Sequence, residues 1–275
     1  MSDDVLEFIH GFPLGLQVPE VKPMTIPTVA DSIGVLSKDD IAKILGTAGR
    51  VAGRDLFSPA DWILNQGSRG SCNAYAGIGA LERARVINNR PHVKLGPEFV
   101  YAHINGGRDQ GSMLEDGREF LTSTGCPPRE FVKYQSYLIR EQTPEGSANA
   151  GRFKILESFG IHSEEELATA LALGYMCVVA VHVTNAWMKL DGDGVAGGAR
   201  GPGNHALCAH DVRIKNGQYQ FDIPGSWGLT YGDKGHCWAT WNAHFASTVN
   251  YHQFYAIRAV TDDPIGDPKL PERKP

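Results

Sequence analysis

Residues 65–75 read Asn65-Gln-Gly-Ser-Arg-Gly-Ser-Cys-Asn-Ala-Tyr75, a glycine-containing loop that runs into a cysteine at the head of an apolar segment. Beyond it Ala74, Ile78, Leu81 and Arg85 recur along one helical face, which predicts a helix from Cys72 to about Asn88 with Ser71 as its cap. A helix start leaves backbone N–H groups unpaired and carries the positive end of the peptide dipoles, so it favours the thiolate of Cys72 over the thiol. Gln66 lies across a loop that can fold back, and its side-chain amide with the Cys72 N–H would supply two donors to a developing oxyanion. The same residues equally describe a helix start that happens to bury a cysteine. A nucleophilic cysteine needs a base, and among ten histidines His205 is distinctive. It follows a glycine-rich loop (Gly192 to Gly203) and opens an apolar strand, Ala206-Leu-Cys-Ala209. Further on, Gly225-Ser-Trp-Gly228 offers a large aromatic to cover an imidazole.

Working outward, the chain changes character near its middle. Gly96-Pro97 opens a helix, Ser112-Met-Leu-Glu115 reads as a capping box before another that Gly125 stops, and Ser163-Glu-Glu-Glu166 repeats that signature before Leu167–Leu173. After Gly174 the pattern is β: Met176–Val183, Ala206–Ile214, Gln218–Ile223 and Tyr251–Val260 are short and rich in branched or aromatic residues. Helices first and strands later predict an α+β protein of two lobes with a cleft between them. Residues 1–30 carry Pro13, Pro19, Pro23 and Pro27, which exclude a helix and predict an extended arm on a surface. A short helix follows at Ser37–Leu45, and the tail from Thr261 reads as a poorly ordered end.

The 275 residues allow one large domain or two small ones. A net charge of −5 without a basic block argues against nucleic acid as a partner, and no apolar run is long enough to span a bilayer. The N-terminus lacks a signal-peptide pattern, and five scattered cysteines form neither a disulfide framework nor a paired zinc motif. The expectation is reduced thiols in a cytoplasmic or other reducing compartment, with a virion possible, and neither metal nor cofactor. Asp191-Gly-Asp-Gly194 reads as a glycine-rich turn rather than a calcium loop, and Trp238, Trp241, His244 and Phe245 as packing within a lobe.

The order Gln66, Cys72, His205, Ser226-Trp227-Gly228 resembles the papain-like cysteine peptidases, the papain and cathepsin type. His205 follows Cys72 by 133 residues (205 − 72), within the roughly 130–150 of that family. Leu95-Gly-Pro-Glu98, Gly111-Ser112, Met176–Val183 with Trp187, and Tyr231-Gly-Asp-Lys-Gly235 resemble further segments of it, so the likeness covers about 58–260. The resemblance implies a helical N-terminal lobe, an antiparallel barrel-like C-terminal lobe, and peptide hydrolysis through an acyl-enzyme. It makes Cys72 the nucleophile and His205 its base and acid, paired as thiolate and imidazolium. Gln66 would hold the oxyanion and Trp227 would shield the histidine. Gly111 and Ser112 would bind an extended peptide, with Val179 and Ala206 lining the pocket for the residue second before the cut bond.

Four positions depart from the family. Gly225 stands where an asparagine orients the histidine, leaving Asn204, Asp211 and Asp222 as nearby candidates. Arg69 replaces a disulfide-bonded cysteine, and Asn73 replaces an aromatic. The 57 residues ahead of the domain carry no family pro-region pattern and are read either as a latch across the cleft or as an attachment arm to a larger assembly. Gly225 also leaves open a second function, a catalytically weak or inactive domain serving as a binding or structural part of an assembly such as a virus particle.

Overall fold

The computed structural model describes residues 7–17, 26–47, 53–57, 60–247 and 254–261. Its central element is the helix the loop at 65–71 feeds. It is buried on every side rather than along one face, because Ala74, Ala76, Gly77, Gly79, Ala80 and Ala84 let neighbours approach closely. Its polar residues are buried with partners: Glu82 accepts from the Leu95 N–H at 2.7 Å, and the Arg85 guanidinium lies 4.6 Å from the Phe153 ring centre.

In chain order the elements are β1 (Glu7–Ile9), β2 (Phe12–Leu14), α1 (Val29–Ile33), α2 (Lys38–Leu45), α3 (Cys72–Ile87), α4 (Pro97–Ile104), α5 (Leu114–Ser123), α6 (Pro144–Asn149), β3 (Ile155–Ile161), α7 (Glu164–Ala172), β4 (Met176–Val181), β5 (His205–Ala209), β6 (Asp211–Lys215), β7 (Gln218–Pro224), β8 (His236–Ala239), α8 (Trp241–His244) and β9 (Phe254–Val260). Helices α3, α4 and α5 pack together as one lobe. The other lobe is β, with α7 against it, so the expected α+β class is what the molecule has. All its sheet pairings are antiparallel, but the expected barrel does not close: one sheet runs β3-β9-β4-β5 and a separate one β6-β7-β8. The single strand expected over Ala206–Ile214 breaks at His210, where the chain leaves the first sheet for the second. The strands β3 and β8 carry no strong alternation and were not anticipated. The expected strand start at Tyr251–Gln253, like the expected tail beyond Thr261, lies outside the described residues.

Caps follow the sequence unevenly. Ser37 and Ser163 cap α2 and α7 as expected, and Gly96-Pro97 opens α4. Ser71 does not cap α3 with its side chain. Nor does Ser112 cap α5, because its hydroxyl accepts from Asn73 instead. Trp241, Phe245 and Phe254 pack within the β lobe, with Trp241 and Phe245 stacked at 5.2 Å, while Asp191 folds its own turn by accepting from the Asp193 and Val195 N–H groups.

The N-terminal segment departs most from expectation. It is not simply extended: β1 and β2 form a hairpin turned at His10-Gly11, both at positive φ. Residues 12–17 then cross between the lobes. Residues 27–30 pack on the β lobe, where Pro27 O accepts from Gly160 N at 2.9 Å and Glu166 Oε1 from Ala30 N at 3.0 Å.

Candidate active site

The site assembles where the start of α3 meets the start of β5. Cys72 and His205 are completely buried. The Cys72 sulfur lies among the N–H groups of Ala206, Gly15, Asn73 and Cys72 itself. These favour the thiolate, yet burial outweighs them and pushes the thiol up to about 11. Burial likewise pushes the His205 imidazole down to about 3. Neither ring nitrogen of His205 has a hydrogen-bond partner, so none reaches the sulfur. Burial thus works against the expected thiolate–imidazolium pair while the site is covered. Trp227 lies over the imidazole as expected, its ring centre 4.6 Å away at an interplanar angle of 26°.

Gln66 is buried and clamped. Its Oε1 accepts from the Ser226 hydroxyl, its backbone N–H donates to Ser226 O at 2.8 Å, and its Nε2 donates to Arg69 O at 2.9 Å and to Pro13 O at 3.4 Å. Ser112 N donates to Gly15 O at 3.0 Å and Ser112 O accepts from Gln17 N at 3.1 Å, a parallel bridge centred on Leu16. Leu16 N also donates to Asn204 O at 3.3 Å, and Phe12 stacks on Trp227 at 4.9 Å. The chain's own residues 12–17 thus fill the groove in which Gly111 and Ser112 were expected to receive a peptide. The fit is close: a Cβ on Gly15 would lie 2.0 Å from Gly70 O, and one on Gly111 1.9 Å from Gly15 O.

Two expectations need correction. Val179 pairs with Leu207, and directly opposed residues share a sheet face. Val179 therefore faces away from Ala206, and the residue beside Ala206 is Ala180. None of the three candidates for orienting His205 does so. Asn204 is tied to Val183 through both side-chain atoms, Asp211 accepts from Arg54 N, and Asp222 accepts from His210 Nε2 at 2.7 Å and His236 Nδ1 at 3.0 Å. That buried cluster was not read from the sequence, since its members come from the break between β5 and β6 (His210), from β7 (Asp222) and from β8 (His236). Arg83 Nε donates to His210 Nδ1 at 3.1 Å, which places the ring proton on Nε2, facing Asp222. A metal ion on Nε2 would force the proton against the Arg83 N–H, so these residues fit a charge network better than a metal site.

The chain thus places a cysteine at a helix start and a histidine at a strand start where the two lobes meet. The sequence profile of the papain family cysteine proteases matches residues 54–257, and the chain belongs to that family. Thiol protease aleurain of Arabidopsis thaliana is 27% identical over 184 residues, covering 63% of this chain and 51% of that protein, so the match spans about half the relative's length. Among solved structures, xylellain, a cysteine protease from Xylella fastidiosa, superposes with a TM-score of 0.63 at 21% identity, covering 93% of this chain and 99% of that one. Procathepsin B S9 from Trypanosoma congolense gives 0.61 at 11% identity, with 88% and 85% covered. At these identities the two structures speak for the fold alone.

Proposed function

We propose that the chain is a cysteine peptidase acting through Cys72 and His205, held latent by its own residues 12–17. The observation that carries this is the occupied groove: the segment takes up Ser112's backbone groups, the Gln66 amide and the face of Trp227 together. An attachment arm would have no reason to bond to all three. The segment also runs the wrong way for cleavage. A substrate would lay residues upstream of the cut bond along Ser112 and downstream ones beneath Trp227. Here the downstream Leu16 and Gln17 lie at Ser112 and the upstream Phe12 lies under Trp227.

With the groove open, water reaches the site, the burial that holds both groups neutral is relieved, and the proton passes from Cys72 to His205. The thiolate attacks the carbonyl carbon, and its oxygen becomes an oxyanion bound by Gln66 Nε2 and the Cys72 N–H. His205 gives its proton to the leaving amine. Water, deprotonated by His205, then hydrolyses the thioester and returns the cysteine. Ala206 and Ala180, both small, suit an apolar side chain second before the cut bond.

The alternative, an inactive binding domain, draws on Gly225 and on the unpartnered His205 ring. Incubation of the Gly15→Val variant, whose added side chain meets Gly70 O and lifts residues 12–17 from the groove, with a peptidyl epoxide followed by intact mass separates the two. An adduct on Cys72 that is lost in His205→Ala supports the peptidase, whereas labelling no faster than at Cys177 or Cys208 supports the binding domain.

A further inference from the structure

Gly225 removes the side chain that orients the histidine elsewhere in the family, and something else fills its room. The backbone of residues 228–235 curls back on itself: Gly235 N donates to Tyr231 O at 2.7 Å, and Gly225 N donates to Gly235 O at 2.8 Å. This drives the Tyr231 ring inward until it is 2% exposed. A Cβ on residue 225 would come within 2.7 Å of Tyr231 Cδ1 and 3.0 Å of Cε1, so the ring edge stands where any side chain at 225 would begin. The same ring meets Trp227 edge to face, 5.2 Å between centres at 88°. Trp227 in turn lies flat on His205 at 4.6 Å.

From this we infer that Tyr231 is a positioning residue for His205, acting through Trp227 in the room that an asparagine takes elsewhere in the family. The inference rests on the reading of Cys72 and His205 as the reacting pair. With both ring nitrogens unpartnered, the imidazole is oriented here by its face contact, and the tilt of Trp227 fixes that face. A perpendicular ring contact prefers one geometry, so the tyrosine ring sets the indole tilt. The tyrosine and the glycine then form one unit: a side chain at 225 and this ring cannot both be present as they stand. The hydroxyl is not the working group, because it is buried beside Cys237 and Trp187, away from the histidine.

The test alkylates the full-length protein with iodoacetamide and follows the rate at Cys72 by mass spectrometry at pH 6 and pH 9.5. At the higher pH the thiol ionises without help, so the ratio of rates (pH 6 over pH 9.5) isolates the contribution of His205. It also cancels any change in how often residues 12–17 uncover the site. Tyr231→Ala is expected to lower the ratio about tenfold, an orientation effect. Tyr231→Phe should recover it, and so should Gly225→Asn added to Tyr231→Ala, which restores an amide beside the ring. Gly225→Ala, which presses on the tyrosine from the other side, should lower the ratio too, and it serves if Tyr231→Ala fails to fold. An unchanged ratio in either single variant, or no recovery in the double variant, overturns the assignment. An unchanged ratio in His205→Ala overturns the reading of the pair beneath it instead.

Discussion

Arg69 stands where the family has a disulfide-bonded cysteine, and its guanidinium ties the same loop down by charge. Its Nη1 lies 3.0 Å from Asp109 Oδ2, and its planar head sits 4.5 Å over the Tyr137 ring. Asp109 also accepts from the Gly70 N–H at 2.9 Å and the buried Tyr101 hydroxyl at 2.8 Å, so one carboxylate fixes the loop that leads to Cys72. Removing it takes the acceptor from three donors, the Arg69 Nη1, the Gly70 N–H and the Tyr101 hydroxyl. Asp109→Ala is therefore expected to cost about 2 kcal/mol, read as a shift in the urea midpoint at constant slope. The wild type should melt at the same temperature with and without reductant, since its five described cysteines are all free thiols. At this scale the sequence was legible where chemistry depends on local context. A cysteine after a glycine loop and a histidine before an apolar strand are such cases. It failed at Val179, because which face a strand residue takes depends on register with its partner, and a one-residue offset exchanges the faces.

The element that covers Cys72 in the structure is the segment from Phe12 to Gln17. Its one proline, Pro13, lies in a strand, as a helix-free reading of this stretch expects, while Pro19 and Pro23 lie outside the described residues. The hairpin before it was hidden, because its turn puts a histidine, His10, at φ 51° and only then a glycine. The path of the segment was not legible either, since it is set by two close approaches of backbone to backbone, at Gly70 and at Gly111. Those approaches give a clean handle. In Gly15→Val the added side chain meets Gly70 O, a backbone atom that cannot swing away, so the segment must lift. The expected outcome is labelling of Cys72 by a peptidyl epoxide at least tenfold faster than in the wild type, with the fold intact by circular dichroism. Equal rates would mean that the segment does not guard the sulfur. A smaller gain is expected from Phe12→Ala, which loses only the stack on Trp227.

Across the whole molecule, α3 carries Cys72 at one end and Arg83 in its body, and Arg83 reaches the β lobe through the buried His210–Asp222–His236 network. The lobes are thus joined by charge as well as by apolar packing, and the joint is sensitive to acid. Burial pushes His210 down to about 4 despite the Asp222 carboxylate beside it, and pushes His205 down to about 3. Asp222 is held well below the usual carboxylate range, its burial outweighed by the charges and hydrogen bonds of His210 and His236. In the unfolded chain both histidines titrate near 6.5. Between that value and the folded ones the unfolded state binds more protons, so stability is full above pH 6.5 and falls as the pH drops. At pH 5 each histidine should cost about 2 kcal/mol, together a lowering of the melting temperature of roughly 8–16 °C relative to pH 7. The Asp222 contribution is lost only further down, below about pH 4. His210→Gln, which keeps a side-chain amide toward Asp222 and removes one titrating group, should roughly halve the drop. Melting temperatures equal at pH 7 and pH 5 would mean that neither ring is held neutral. A drop of full size in His210→Gln would place the acid sensitivity elsewhere than in the joint between the lobes.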